Sequence, residues 1–289
     1  MPANGQMKMA VNPVEMGKGP SYSAHMYKKL SNQDIPAVFR YIANEKEMNL
    51  FIEGDIEAYG LESEHVELYA FGDDWDCLLL RYFSNFMVTS NKEYPASLQL
   101  VSEFLGQQPM QRLSAKEQLL QQFHPYFPNT KVQGTYLCRL DRSGFKQTGK
   151  TDSNVVKLDA SFAQEIVDLY KHIEEFAQPY LEHEAEKLSE IRNTYEKGCQ
   201  GYGIFADGTL VCTASTTANS SSGAMVIGVA THPSYRKRGY ASVVVNQLCK
   251  ACFSDGLSFL CLFYDNPVAG AIYHRLGFET IGRWGMMKF

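Results

Sequence analysis

The chain has no run of apolar residues approaching the roughly 18 that a membrane-crossing helix requires, and stretches such as Cys77–Leu80 and Phe259–Tyr264 fall far short of it. No membrane span is expected, and no charged-then-apolar leader opens the sequence. An excess of positive charge is also lacking: Asp and Glu number 32 against 27 Lys and Arg, a formal charge of −5. This excludes a nucleic-acid surface that works through bulk basic charge, so any anion site must be local. Cysteines are few and odd in number, seven in 289 residues, and scattered. A chain of this size and apolar content needs no disulfide staples, so reduced thiols in a cytoplasmic protein are expected. Cys249 and Cys252 form a CxxC inside an apolar-periodic helix, with no second Cys or His pair at metal spacing. They read as helix packing, and no metal is expected.

What is present is enough apolar material, 45% of the residues, to build two modest cores. Residues 1–25, with Pro2, Gly5, Pro13, Gly17, Gly19 and Pro20 and no apolar period, predict an arm. A first α/β domain is expected over 26–150 and a second over 151–289, parted by the polar stretch Asp141–Asn154. In the first, Ile35, Val38, Phe39 and Ile42 recur at helical spacing, and Met48–Ile52 suits a second helix. Val66–Phe71 and Cys77–Met87 flank a Gly-Asp-Asp turn as strands, Leu113–Phe123 reads as a helix, and Thr135–Leu140 as a strand. The second half starts over with a strand at Val155–Leu158, a helical stripe through Ile166, Leu169, Tyr170 and Ile173, and another through Leu188, Ile191 and Tyr195. Three strands follow, then helix 241–253, strand 257–264, helix 267–276 and a last strand from Phe278. The class is a mixed α/β layer.

The most informative stretch runs from Val229 to Ser242, out of a strand, through a basic turn containing Gly239, and into a helix. A helix start leaves its first N–H groups unpaired, and its dipole favours negative charge there by about 0.3 to 1 kcal/mol per interaction. Gly239 and the small Ala241 admit an anion to the main chain, and Arg236, Lys237 and Arg238 add charge-assisted bonds. The plainer alternative is a solvated basic turn.

Arg236-x-x-Gly239-x-Ala241 resembles the pyrophosphate-binding signature of the GNAT superfamily of N-acetyltransferases. Downstream, Asn266-Pro267-x-Ala269-x-x-Ile272-Tyr273-x-x-Leu276-Gly277-Phe278 resembles that family's other well-marked motif, in the right order. The resemblance covers about residues 154–289 and implies a GNAT-like acyl-CoA-binding fold with a second α/β domain before it. It implies that Val229 and Thr231 hold the pantetheine arm of acetyl-CoA, that Arg236, Lys237, Arg238, Gly239, Tyr240, Ala241 and Ser242 hold its pyrophosphate, and that Asn266 contacts the arm. Asn266 reads equally as an N-cap for the helix from Pro267. Tyr273 alone would be a core aromatic; matched to the motif, its hydroxyl is the general acid for the departing thiolate.

One departure matters. Relatives place a Glu on the strands near the cofactor as base, yet Leu210–His232 contains no Asp or Glu. His232 is there, either as a base or as a surface histidine, and a water relay or a carboxylate from the acidic region Glu174–Glu190 is the other route. The first half has no basic glycine turn, so it reads as a degenerate copy of the fold or an unrelated α/β domain, supplying a substrate wall. The expected activity is acetyl-CoA-dependent acetylation of a primary amine on a small molecule by direct attack. The alternative is a non-catalytic acyl-CoA-binding module. An aminoacyl transferase needs a tRNA-borne donor, which the negative charge disfavours.

Overall fold

The computed structural model describes residues 27–72, 74–148 and 155–289. The arm expected over 1–25 and the junction expected between 150 and 151 lie outside the described residues. The first half runs β1 (Tyr27–Lys29), α1 (Ile35–Ile42), α2 (Leu50–Tyr59), β2 (Val66–Phe71), β3 (Cys77–Tyr82), β4 (Asn85–Thr89), α3 (Leu98–Leu105), β5 (Arg112–Lys116), α4 (Glu117–Gln121) and β6 (Gln133–Asp141). The second runs β7 (Val155–Leu158), α5 (Ala163–Lys171), α6 (Ala177–Glu182), α7 (Glu184–Glu196), β8 (Gly201–Ala206), β9 (Thr209–Thr217), β10 (Gly223–Thr231), α8 (Tyr240–Ser254), β11 (Phe259–Tyr264), α9 (Pro267–Leu276) and β12 (Glu279–Lys288). Apart from the short α6, the same order of strands and helices occurs twice.

All strands join one twelve-stranded sheet in the order β1-β2-β3-β4-β5-β12-β6-β11-β10-β9-β8-β7. The order reads the same from either end once the halves are exchanged. The parallel pairs, β4 with β5 and β10 with β11, sit at matching places, and every other pair is antiparallel. The two halves have traded their last strands. Thus β6 lies against β11, and its Cys138 and Leu140 belong to the second half's core. In return β12 pairs with β5, placing Trp284 and Met287 in the two cores that flank the first half's strands.

Two readings of the first half need correction. The segment expected as a helix from Leu113 begins as β5, because Leu113 and Ala115 are buried while Ser114 and Lys116 are partly exposed, a period of two rather than 3.6. Only Glu117–Gln121 is helical. Cys77–Met87 is not one strand but the hairpin β3–β4, which turns at Phe83 and Ser84 with Phe83 in the left-handed region at φ 53°. Helix α3 had no counterpart in the sequence reading. Cys249 and Cys252 are buried in α8 against the sheet, as helix packing requires, and all seven cysteines are free.

Candidate active site

Strands β10 and β11 run parallel and paired from Gly223 and Phe259 only as far as Val226 and Leu262. Beyond that they diverge, although β10 continues to Thr231 and β11 to Tyr264. The backbone N–H of His232 bonds to the carbonyl of Val211 on the β9 side at 2.8 Å. Alternation along the strand then turns the backbone groups of Val229 and Thr231 toward the open side. This is where the sequence motifs expected an extended arm to pair. Arg236 Nε takes the Thr231 carbonyl at 3.2 Å, so that acceptor already has one partner.

A glycine inside a strand is a bulge signal, and Gly228 is one: the β9–β10 register shifts between Ile227 and Ala230, with Gly228 at φ 61°. A Cβ here would collide with the Tyr170 hydroxyl, which donates to the Gly228 carbonyl at 3.3 Å. Tyr170 is buried, and burial pushes its phenol well above the ordinary range. The strand chemistry could have shown this bulge; the helix that supplies Tyr170 could not be placed over it from sequence.

At the head of α8, Gly239 is in the left-handed region at φ 85°, and a Cβ built on it meets nothing within 4 Å. No side chain caps the helix. The first intrahelical bond runs from the N–H of Val243 to the carbonyl of Gly239, leaving the N–H groups of Tyr240, Ala241 and Ser242 without partners in the helix. Of the three basic residues, Arg238 folds back over the Tyr235 ring at 4.8 Å and bonds to the Ser234 carbonyl, and Arg236 lies 3.6 Å from the Glu175 carboxylate. Lys237 has no partner among the described residues. These residues fit a pyrophosphate: an uncapped helix head, an empty approach at the glycine, and cations around it.

The corresponding helix of the first half, α3, has a carboxylate of the chain's own beside its start. At the start of α3 the buried Asp76 accepts the N–H of Ser97 at 2.7 Å and pairs with Lys92 at 2.8 Å. Burial raises its carboxyl, but the bonds from Lys92 and Ser97 outweigh that and hold it below the ordinary carboxylate range. The start of α3 thus already has a negative charge beside it. Sequence inspection noted the missing basic turn but gave no sign of this carboxylate. Calorimetric titration with CoA should therefore saturate at one site per chain, and a stoichiometry of two would show that the first half binds as well.

The second motif falls into place around α9. Asn266 is its N-cap, with Oδ1 accepting the N–H of Val268 at 2.9 Å. Tyr273 is buried between Tyr264 and Phe278, and its hydroxyl has no hydrogen-bond partner among the described residues. Burial, with smaller contributions from the Cys138 and Cys212 thiols, pushes it up to about 12. It is protonated at neutral pH. His232 turns its Nδ1 to the N–H of Ser234 at 3.3 Å and sits 5.1 Å from the His172 ring. Burial first, then His172 and Arg236, lower its pKa, so it is neutral with one ring nitrogen engaged.

Beside the β10 bulge is a cavity of about 320 Å³ walled by α5, α6 and α7, with Ile227 and Gly228 at its floor and Glu175 among its lining residues. From the first half, α2 reaches the same face of the sheet: the Phe51 ring stacks on Phe263 at 6.4 Å, and Glu53 and Glu57 accept hydrogen bonds from Ser222 and Ser221. One turn beyond Phe51, Asp55 has no ion-pair partner among the described residues, and burial pushes it up to about 7.

A family model described as GNAT acetyltransferase matches residues 17–287. The chain belongs to the GNAT acetyltransferase family. The match extends the resemblance seen over 154–289 across nearly all of the first half, where the topology repeats but the motifs do not. No curated protein matches the chain. Solved structures share the fold at low identity. A Drosophila protein is 12% identical with a TM-score of 0.69, covering 91% of this chain and 98% of its own. A tandem GNAT protein from the clavulanic acid biosynthesis pathway is 12% identical with a TM-score of 0.57, covering 91% and 97%. A GCN5-related N-acetyltransferase from Sphaerobacter thermophilus is 13% identical with a TM-score of 0.57, covering 91% and 95%. Among the described residues no helix is long and apolar enough to cross a membrane.

Proposed function

We propose that this GNAT protein transfers an acetyl group from acetyl-CoA to a primary amine of a small molecule by direct attack. The observation that carries the reading is the combination of an open strand edge with an uncapped helix head: β10 parts from β11 after Val226, and the chain then turns through Gly239 into α8. Val229 and Thr231 would hold the pantetheine arm by their backbone, and Arg236 to Ser242 the pyrophosphate. Asn266 keeps its side-chain Nδ2 for the arm while Oδ1 caps α9. Acetyl-CoA supplies an activated thioester carbonyl. In the reaction the amine nitrogen bonds to that carbonyl carbon, the carbon–sulfur bond breaks, and a proton passes to sulfur as another leaves nitrogen. Tyr273, held protonated by burial, has the proton to give.

A base does not come from the strands, and the acidic region Glu174–Glu190 is the other source. Glu175, within that region, lines the cavity beside the bulge, whereas Asp55 of α2, pushed up to about 7 by burial, is not among the lining residues. The first half serves as a wall and binds no donor of its own. Free cysteines and the acidic composition support a cytoplasmic protein acting on neither nucleic acid nor membrane.

The second reading, an acyl-CoA-binding module without turnover, is favoured by one observation: Leu210–His232 has no carboxylate, and His232 spends Nδ1 on Ser234. Thiol release from acetyl-CoA across a panel of primary amines separates the two. Release above the amine-free rate is expected. A flat panel with CoA tightly bound would leave the binding module.

A further inference from the structure

Which amine fits depends on the cavity beside the β10 bulge, and its walls are aromatic. Tyr170 packs edge-on against Phe176 at 5.2 Å and against Tyr180 at 4.9 Å, so these rings hold one another in place. Ile191 and Tyr195 of α7 close the far side. Most of the cavity's hydroxyls have partners: Tyr170 donates to the Gly228 carbonyl, Thr194 to the Glu190 carbonyl, and the Tyr195 hydroxyl lies 2.8 Å from Ser215 Oγ, which leaves that of Tyr180 without one among the described residues. What faces the space is mostly ring and aliphatic surface. Among the described residues no Lys or Arg lines it, and the single charged liner is the Glu175 carboxylate. A guest bearing an acid group would find no cation among the lining residues to pair with, since Arg236, which lies outside them, is already engaged by Glu175 at 3.6 Å. Its volume of about 320 Å³ is at the small end for ligand pockets, generally about 300 to 1,000 Å³.

The cavity's position favours an acceptor over a long acyl chain. Met225 and Ile227 of β10 face α2 and the cavity, while Val226 faces the core that contains α8 and Tyr273. The cavity and the proton donor are thus on opposite faces of the strand. This suits a nucleophile arriving on one side of the thioester while sulfur departs on the other.

We infer that the acceptor is a primary amine with a small aromatic or comparably bulky apolar body and no acid group, its body seated among Tyr170, Phe176, Tyr180 and Ile191 and its nitrogen toward the bulge at Gly228. The inference rests on the acetyltransferase reading for its direction, but binding can test it without turnover. Calorimetry on the full chain saturated with CoA would compare 2-phenylethylamine with ethanolamine and glutamate. The aromatic amine should bind at least about tenfold tighter, equivalent to about 1.4 kcal/mol. Ile191→Lys places a cation in the wall on a helix with no fully buried residue, and should cost about tenfold or more in 2-phenylethylamine affinity with CoA affinity unchanged. Ile191→Leu should keep it. Equal binding of ethanolamine or glutamate to the wild-type protein would overturn the inference. So would an Ile191→Lys protein of normal CoA affinity that binds 2-phenylethylamine normally, or octanoyl-CoA that outbinds acetyl-CoA and displaces the amine. Tight, Ile191-dependent binding of 2-phenylethylamine with no thiol release from any amine would instead sink catalysis and leave the pocket's preference standing.

Discussion

Tyr273→Phe is expected to lower kcat by about 10² to 10⁴-fold while CoA affinity stays nearly constant, the range in which general acid catalysis contributes. The substitution removes one oxygen and keeps the ring between Tyr264 and Phe278, so the packing of α9 on the sheet is retained. The hydroxyl has no protein partner among the described residues, so no buried group is orphaned by its loss. Because burial pushes the phenol up to about 12, it stays protonated throughout the ordinary assay range and adds no limb to the pH–rate profile there. A structural role predicts at most a small change in melting temperature. Steady-state rates with a responsive amine, beside calorimetric CoA affinities, decide between them, and an unchanged kcat would remove Tyr273 from the chemistry.

Gly239→Val should weaken CoA binding by about 100-fold, the equivalent of one or two lost charge-assisted bonds at about 1.5 to 3 kcal/mol each. The built Cβ meets no protein atom within 4 Å, so the new side chain fills only the space that the pyrophosphate would enter. The left-handed backbone at φ 85° adds strain of order 1 to 3 kcal/mol for a β-branched residue. Helix α8 can bear that, since Val244, Val245, Leu248, Cys249 and Cys252 anchor it in the core. Circular dichroism and a thermal melt would establish folding. A folded variant with wild-type CoA affinity would show that the turn is a solvated loop after all.

Local pattern carried the second half well because its signals are local. The helical stripes of α5 and α7, the apolar β11, and the Asn266–Pro267 start of α9 each follow from spacing and capping within a few residues. The glycine turn at the head of α8 was visible for the same reason. What escaped notice depends on residues distant in the chain. Asp76 reaches the N–H of Ser97 at the start of α3 from 21 positions away, the Tyr170 hydroxyl meets Gly228 from 58 away, and Glu57 holds Ser221 from 164 away. No periodicity encodes such pairings. The strand at Leu113 was misread because Leu119, Leu120 and Phe123 follow it at helical spacing and drew it into one amphipathic run. Glu175 is a mixed case: the acidic region Glu174–Glu190 was named from sequence, but that Glu175 in particular lines the cavity depends on how α5, α6 and α7 pack over β10.

The traded strands also fix an order of events during synthesis. β6 is complete long before β11 exists to receive it, and β5 waits for β12, which is made after every other element described here. An emerging first half therefore carries an unpaired edge, the kind of surface that invites wrong partners. Its two cores lack Trp284 and Met287 until those residues arrive. Closing the sheet across that interval is a high-contact-order step, slow because the loop entropy is spent before the pairing is won. Until the second half arrives that gap stays open, and a chain cut between 148 and 155 would leave two fragments that must meet to form the exchanged pairs β6–β11 and β5–β12.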